Sequence, residues 1–166
     1  MTIFELTAAH RLPRPRAEVF PYFGDAANLE AITPPWLSFR ILTPLPLAMR
    51  EGALLDYRLS LHGIPITWRT EITAWEPPHR FVDEQRRGPY RLWVHEHTFE
   101  DISGGPGGTL ATDRVRYAVP FGRLANRLLV ARDLRQIFDY RNRKIQEVFG
   151  RLSGGDEPVR IRVVAG

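Results

Sequence analysis

Apolar and polar residues alternate along most of this chain with a period of two, and the period lengthens to that of a helix only after residue 120. IFELTAAHRL, residues 3–12, reads as a first strand. Phe4, Leu6, Ala8 and His10 fall on one face, and Ile3, Glu5, Thr7 and Ala9 on the other. After Pro13, the stretch PRPRAEVFPYFGDAANLEAITPPW predicts two short helices. Pro15 and Arg16 open the first, which carries Val19, Phe20 and Phe23. Asp25 caps the second, which holds Leu29 and Ile32 and stops at Pro34 and Pro35. Six strand-like runs follow: LSFRILT (37–43), ALLDYRLSLH (53–62), IPITWRTEITAW (64–75), HRFVDEQRRG (79–88), RLWVHEHTFEDI (91–102) and LATDRVRYAVP (110–120). The links between them are short, which implies antiparallel hairpins. SGGPGG (103–108) has neither the following helix nor the lysine of a phosphate cradle, and is expected to be a hairpin loop.

From Phe121 to Phe149 the apolar residues form a helical stripe through Leu124, Leu128, Ala131, Leu134, Ile137, Phe138, Ile145 and Val148, with most of the basic residues off it. The tail after residue 150 carries VRIRVV, which is open to two outcomes, an added short strand or disorder. Strand, two short helices, six strands and a long helix make an α+β arrangement: a curved antiparallel sheet of about seven strands wrapped around the long helix. A single domain over residues 1–150 with a tail at 151–166 is expected.

Composition narrows the function classes. With 166 residues and 43% hydrophobic side chains, the chain can bury one real core. It has no cysteine, which removes disulfides, zinc–thiolate sites and a cysteine nucleophile, and fits a cytoplasmic setting. No signal-peptide pattern is read at its start, and no apolar run is long enough to span a bilayer. The net charge of +4 comes from arginines scattered among 19 acids, with Lys144 the sole lysine. Without a basic block interleaved with aromatics, nucleic-acid binding is not expected.

Taking the large apolar residues of each strand as its inner face gives Tyr57 and Leu59, then Ile66 and Trp68, then Phe81, Asp83 and Gln85. Trp93, His95, His97 and Phe99 follow, then Asp113, Val115 and Tyr117. Asp83, Gln85, His95, His97 and Asp113 therefore share the apolar face on three successive strands. Burying so many polar groups is costly unless they bond to one another, to water or to a ligand. A polar end in an apolar cavity is the pattern of a small-molecule site.

The residues FVDEQRRGPYRLWVHEHTF (81–99), the D-x-V-x-Y-x-x-P-F-G run from Asp113 to Gly122 and LRQIFDYR (134–141) resemble the START-like, or SRPBCC, superfamily. Within it they are most similar to the small bacterial ligand-binding SRPBCC domain proteins. The superfamily includes polyketide cyclase/dehydrase proteins, plant allergen-type proteins and lipid-transfer domains. The resemblance implies the helix-grip fold over residues 3 to about 150 and a cavity, but no particular reaction.

The expected function is therefore binding of a small hydrophobic molecule between the sheet and the last helix. Leu59, Ile66, Trp68, Trp93, Phe99, Val115 and Phe138 supply apolar wall, Tyr57 and Tyr117 lie beside it, and Asp83, Gln85, His95, His97 and Asp113 orient a carbonyl or hydroxyl. Two alternatives stay open. One is cyclase/dehydrase-type acid–base chemistry, with His95, His97, Asp83 and Asp113 as the candidate catalytic groups. The other is a lipid-chaperone or interaction module acting through GRLANRLLVARDL (122–134), whose leucines would otherwise cover the sheet or a partner. No cofactor or metal is expected: Asp83 or Asp113 would have to be the third ligand, since His10, His62 and His79 fall near strand ends and no His-Glu-x-x-His helix occurs. The His pair can also be a hydrogen-bonded brace of the core.

Overall fold

A computed structural model describes residues 1–102 and 107–166, so most of the expected SGGPGG hairpin loop lies outside the described residues. The elements run β1 (Ile3–Leu12), α1 (Arg16–Phe23), α2 (Leu29–Ile32), β2 (Arg40–Ile41), β3 (Leu54–Leu61), β4 (Ile64–Glu76), β5 (Arg80–Arg87), β6 (Leu92–Asp101) and β7 (Thr109–Ala118). They continue with α3 (Gly122–Ala125), a π-helical turn (Asn126–Val130), α4 (Ala131–Phe149) and β8 (Glu157–Ala165). All eight strands form one antiparallel sheet in the order β2-β3-β4-β5-β6-β7-β1-β8. The sheet curves around α4, which makes the chain an α+β, helix-grip fold.

Local chemistry sets the turns. The residue Asp25 caps the second helical stretch as expected, its Oδ1 accepting from the Ala27 amide at 2.9 Å. Only His62 and Gly63 separate β3 from β4, with φ of 49° and 79°, and Leu61 pairs with Ile64 across them. Two positive φ values in a two-residue hairpin match the right-handed twist of the strands, and glycine supplies one at no steric cost.

Two expectations are corrected, and the one left open for the tail is decided. The LSFRILT run keeps only Arg40–Ile41 as strand. Leu37 sits buried in a 3-10 turn after Pro34, and Ser38 takes a left-handed φ of 47°, which breaks the extended run. The sheet gains its eighth strand from the tail, where Glu157–Ala165 pairs with β1.

The other correction concerns the long helix, whose stripe does not stay in phase. The π-helical turn takes up one extra residue, turning the helix face by about 100°. Leu134, Phe138 and Ile145 are buried under the sheet, but Phe121, Leu124 and Leu128 are 87%, 65% and 68% exposed. The leucines of 122–134 therefore do not cover the sheet as a set.

The expected outer face of β1 also holds a surprise. Glu5 is buried, because Arg114 of β7 and Arg162 of β8 close over it. Arg114 Nε donates to Oε2 at 2.7 Å, and Arg162 donates to Oε1 through Nε at 3.0 Å and Nη2 at 2.6 Å. Burial would raise this carboxyl, but the two arginines outweigh it and hold it below 4.5. A group lowered in the folded state stabilises it above the unfolded value and loses that effect as pH falls through the folded value. Glu5→Gln should therefore cost about 1–2 kcal/mol at neutral pH. The difference from wild type should vanish on acidification below the ordinary glutamate range. Urea titrations at neutral and acid pH check this, and a pH-independent difference would contradict it.

Candidate functional site

The inner face of the sheet and α4 do not meet everywhere, and a cavity of about 530 Å³ lies between them. That volume is in the range of small-molecule pockets. Its wall is built from alternate residues of β3 and β4, including Tyr57, Leu59, Ile66 and Trp68, from Trp93 of β6, and from Leu134, Ile137 and Phe138 of α4. Aromatic contacts hold the wall in shape. Trp68 lies 5.8 Å from Tyr57 and 5.4 Å from Trp93, ring centre to ring centre. At the mouth, His62 of the β3–β4 turn reaches Asp133 of α4, Nε2 to Oδ2, at 2.8 Å.

The polar residues gather at one end of the cavity. Strand register brings them together: Asp83 lies opposite His95, and His97 opposite Asp113. The shortest contacts run diagonally. His95 Nε2 meets Asp113 Oδ1 at 2.8 Å, and His97 Nε2 meets Asp83 Oδ2 at 2.9 Å. The direct pairs are longer, with His97 Nδ1 to Asp113 Oδ1 at 3.2 Å and His95 Nδ1 to Asp83 Oδ2 at 3.7 Å. Each histidine thus lies between both carboxylates. The two imidazoles are 3.7 Å apart, and Phe81 stacks on His97 at 4.0 Å.

Arg141 of α4 completes the cluster, its Nη2 lying 3.4 Å from Asp113 Oδ1 and its guanidinium 5.3 Å from the Phe23 ring. The two carboxylates differ in access. The Asp113 side chain is 3% exposed and lies behind the histidines, whereas that of Asp83 is 18% exposed and forms part of the wall. Among the described residues only Oδ2 of Asp83 is engaged in these contacts.

Charge follows from this packing. Burial pulls His95 below the ordinary histidine value, and the neighbouring His97 adds to the shift. Burial acts on His97 too, but Asp113 and Asp83 outweigh it and raise its value. Burial alone would raise both carboxyls. For Asp113 it is overcome by Arg141 and the histidines, which hold the group well below the usual range. For Asp83 it is overcome by the histidines and Arg141. Burial, with Asp83 nearby, pushes the Tyr57 phenol well above 10.

Of the residues expected at the site, the structure brings Tyr57, Leu59, Ile66, Trp68, Asp83, Trp93, His95, His97 and Phe138 to the cavity. Five others lie elsewhere. Gln85 braces the hairpin, donating to the Tyr90 carbonyl at 2.7 Å and accepting from its amide at 3.2 Å. Phe99 packs into the core under α1. Val115 and Tyr117 pack with Phe4 and Leu6, and the Tyr117 hydroxyl donates to Asn126 Oδ1 at 2.8 Å. Asp113 supports the histidines from behind. Inner-face alternation identifies the side of the sheet, but not the distance to a helix that lies close over one end and apart at the other.

Arg141 was missed. Its signal was present in the spacing Leu134, Phe138, Arg141, Ile145, which puts an arginine on the apolar stripe. Phe39 and Thr70 also line the cavity without having been singled out, as does Tyr90, a candidate hydrogen-bond donor for the acid–base alternative.

This geometry defines a class: a helix-grip domain whose sheet and last helix enclose an apolar cavity with a buried Asp–His–His–Asp–Arg cluster at one end. Residues 47–149 match the family model described as a domain of unknown function, DUF8410, and the chain belongs to that family. No curated protein matches it. Among solved structures it is similar to protein CV1439 from Chromobacterium violaceum, with a TM-score of 0.66 and 13% identity over 88% of this chain and 97% of that one. It is also similar to Ara h 8.0201, with a TM-score of 0.64 and 15% identity over 89% and 97%. A third is protein Ms6760 from Mycobacterium smegmatis, with a TM-score of 0.63 and 19% identity over 87% and 89%. At these identities the likeness shows the helix-grip fold. No helix among the described residues is long and apolar enough to cross a membrane.

Proposed function

We propose that this protein binds one small, mostly hydrophobic molecule in the cavity, with the molecule's carbonyl or hydroxyl directed at the Asp83–His95–His97 end. The observation that carries this is the joining of a 530 Å³ apolar cavity to a buried polar cluster that stays open to it through Asp83. Apolar wall supplies affinity through removal of surface from water, and a few fixed polar groups supply orientation. Residues 1–150 would act as the ligand-binding domain in a cytoplasmic setting, without nucleic acid and without membrane insertion.

The test is native mass spectrometry of the purified protein with organic extraction, followed by titration with the neutral apolar dye N-phenyl-1-naphthylamine. Expected are a co-purifying apolar molecule or saturable dye binding at about one site per chain, with a Kd on the order of micromolar. An empty protein that does not take up the dye would overturn the reading.

A second reading is acid–base chemistry of the cyclase/dehydrase type in the same cavity. It is favoured by one feature, a histidine set between two carboxylates, one of which is open to the cavity. It requires turnover of the extracted molecule, slowed about a hundredfold or more in His97→Ala.

A further inference from the structure

We propose that the polar end of the cavity is a binding site for one divalent first-row transition-metal ion, zinc or iron(II) in class. The ion would be held by His95 Nδ1, His97 Nε2 and the Asp83 carboxylate. One ligand atom from each of these three residues lies within 4.8 Å of the other two. His97 Nε2 and His95 Nδ1 are 2.9 Å and 3.7 Å from Asp83 Oδ2. An ion at about 2.0–2.2 Å from each donor needs donors about 3.0–3.5 Å apart, so small side-chain rotations suffice. Two imidazoles and one carboxylate on a single face, with the opposite side open, suit zinc or iron(II) and are poor for magnesium or calcium.

The surroundings point the same way. Asp113 Oδ1 lies 2.8 Å from His95 Nε2 and 3.2 Å from His97 Nδ1. A carboxylate accepts hydrogen bonds, so Asp113 holds the His95 proton on Nε2 and leaves His95 Nδ1 free toward Asp83. His97 Nε2 meets Asp83 Oδ2 at 2.9 Å while its Nδ1 faces Asp113 Oδ1 and Arg141 Nη2 at 3.2 and 3.5 Å, so metal binding would displace the Nε2 proton. One carboxylate orienting two histidines from behind is the arrangement that fixes imidazole tautomers around metals. Asp83, Asp113 and Arg141 sum to −1 with neutral histidines, so a dication leaves the cluster at +1. The absence of a third histidine made no metal the expectation from sequence. The third donor is a carboxylate from the adjacent strand, brought in by the Asp83–His95 register. The ion's remaining coordination positions would face the cavity and take the ligand's carbonyl or hydroxyl oxygen, an extension that rests on the cavity-binding reading above.

The experiment uses full-length protein without a histidine tag, stripped with chelator and titrated separately with Zn²⁺ and with Co²⁺. Expected are about one equivalent of either ion bound, and a visible d–d absorption for Co²⁺. Asp83→Asn and His97→Gln should each weaken Zn²⁺ binding at least about 100-fold, beyond the 10–100-fold typical of losing only a ligand's hydrogen-bond partner. His79→Gln, an exposed histidine outside the cavity, should bind Zn²⁺ as wild type does. Failure of wild type to bind either ion stoichiometrically overturns the proposal, as does equal binding by wild type and the donor variants. Dye uptake by the stripped protein separates the two readings. Uptake without metal binding leaves the cavity reading intact and removes the metal site. Metal binding without uptake supports the metal site and removes the hydrophobic ligand.

Discussion

Asp113→Ala should unfold about 3–5 kcal/mol more easily than wild type, the cost of removing one partner from a buried charge cluster. Asp113 touches His95, His97 and Arg141 through Oδ1 alone, at 2.8, 3.2 and 3.4 Å. Its loss strands the Arg141 guanidinium, which is buried and whose Nε already has no partner among the described residues. It also leaves the His95 Nε2–H group unpaired. Alanine returns none of these hydrogen bonds and opens a void on β7. Asp83→Asn should be much milder, within about 1–2 kcal/mol, because Asp83 borders the cavity and the amide preserves shape. Urea unfolding of the two variants side by side checks the contrast. Equal losses would mean that the two carboxylates are not divided into a buried support and a cavity-facing group.

Filling the cavity should abolish dye binding without unfolding the protein. Ile66 on β4 and Ile137 on α4 face the space from opposite sides, and each is only partly buried. A side chain packed on one side accepts bulk more cheaply than one enclosed in a dense core, where overpacking costs about 1–3 kcal/mol. The double variant Ile66→Trp/Ile137→Trp should weaken N-phenyl-1-naphthylamine binding at least about tenfold, equivalent to about 1.4 kcal/mol. Its melting temperature should stay near that of wild type. Retained affinity in a folded double variant would place the dye outside this cavity. Lost affinity with a collapsed melting temperature would show that the space is a tight core.

The site was legible in part. Alternation along β5, β6 and β7 put Asp83, His95, His97 and Asp113 on one face, because a strand's side chains repeat every two residues. The same rule grouped Phe99, Val115 and Tyr117 with them, and those three are core. Alternation gives a face, and the distance from that face to α4 varies along the strand. Gln85 was misjudged for a different reason: its amide satisfies the Tyr90 backbone in the turn beyond it, a local bond that polarity alone does not reveal. Arg141 was readable from its place on the stripe but is explained only by Asp113 beneath it.

The sequence by itself determined the element order, the antiparallel pairing of neighbouring strands and the burial of polar residues on an apolar face. Each follows from periodicity, turn residues and short links, which act over a few positions. Only the tertiary structure decided that the tail becomes an eighth strand over Glu5. It also decided that the π-helical turn sends Leu124 and Leu128 outward, and that four polar side chains from three strands and one from a helix meet at one end of a cavity. Those outcomes depend on register between distant segments and on where a helix lies above a curved sheet, and no local pattern encodes either distance.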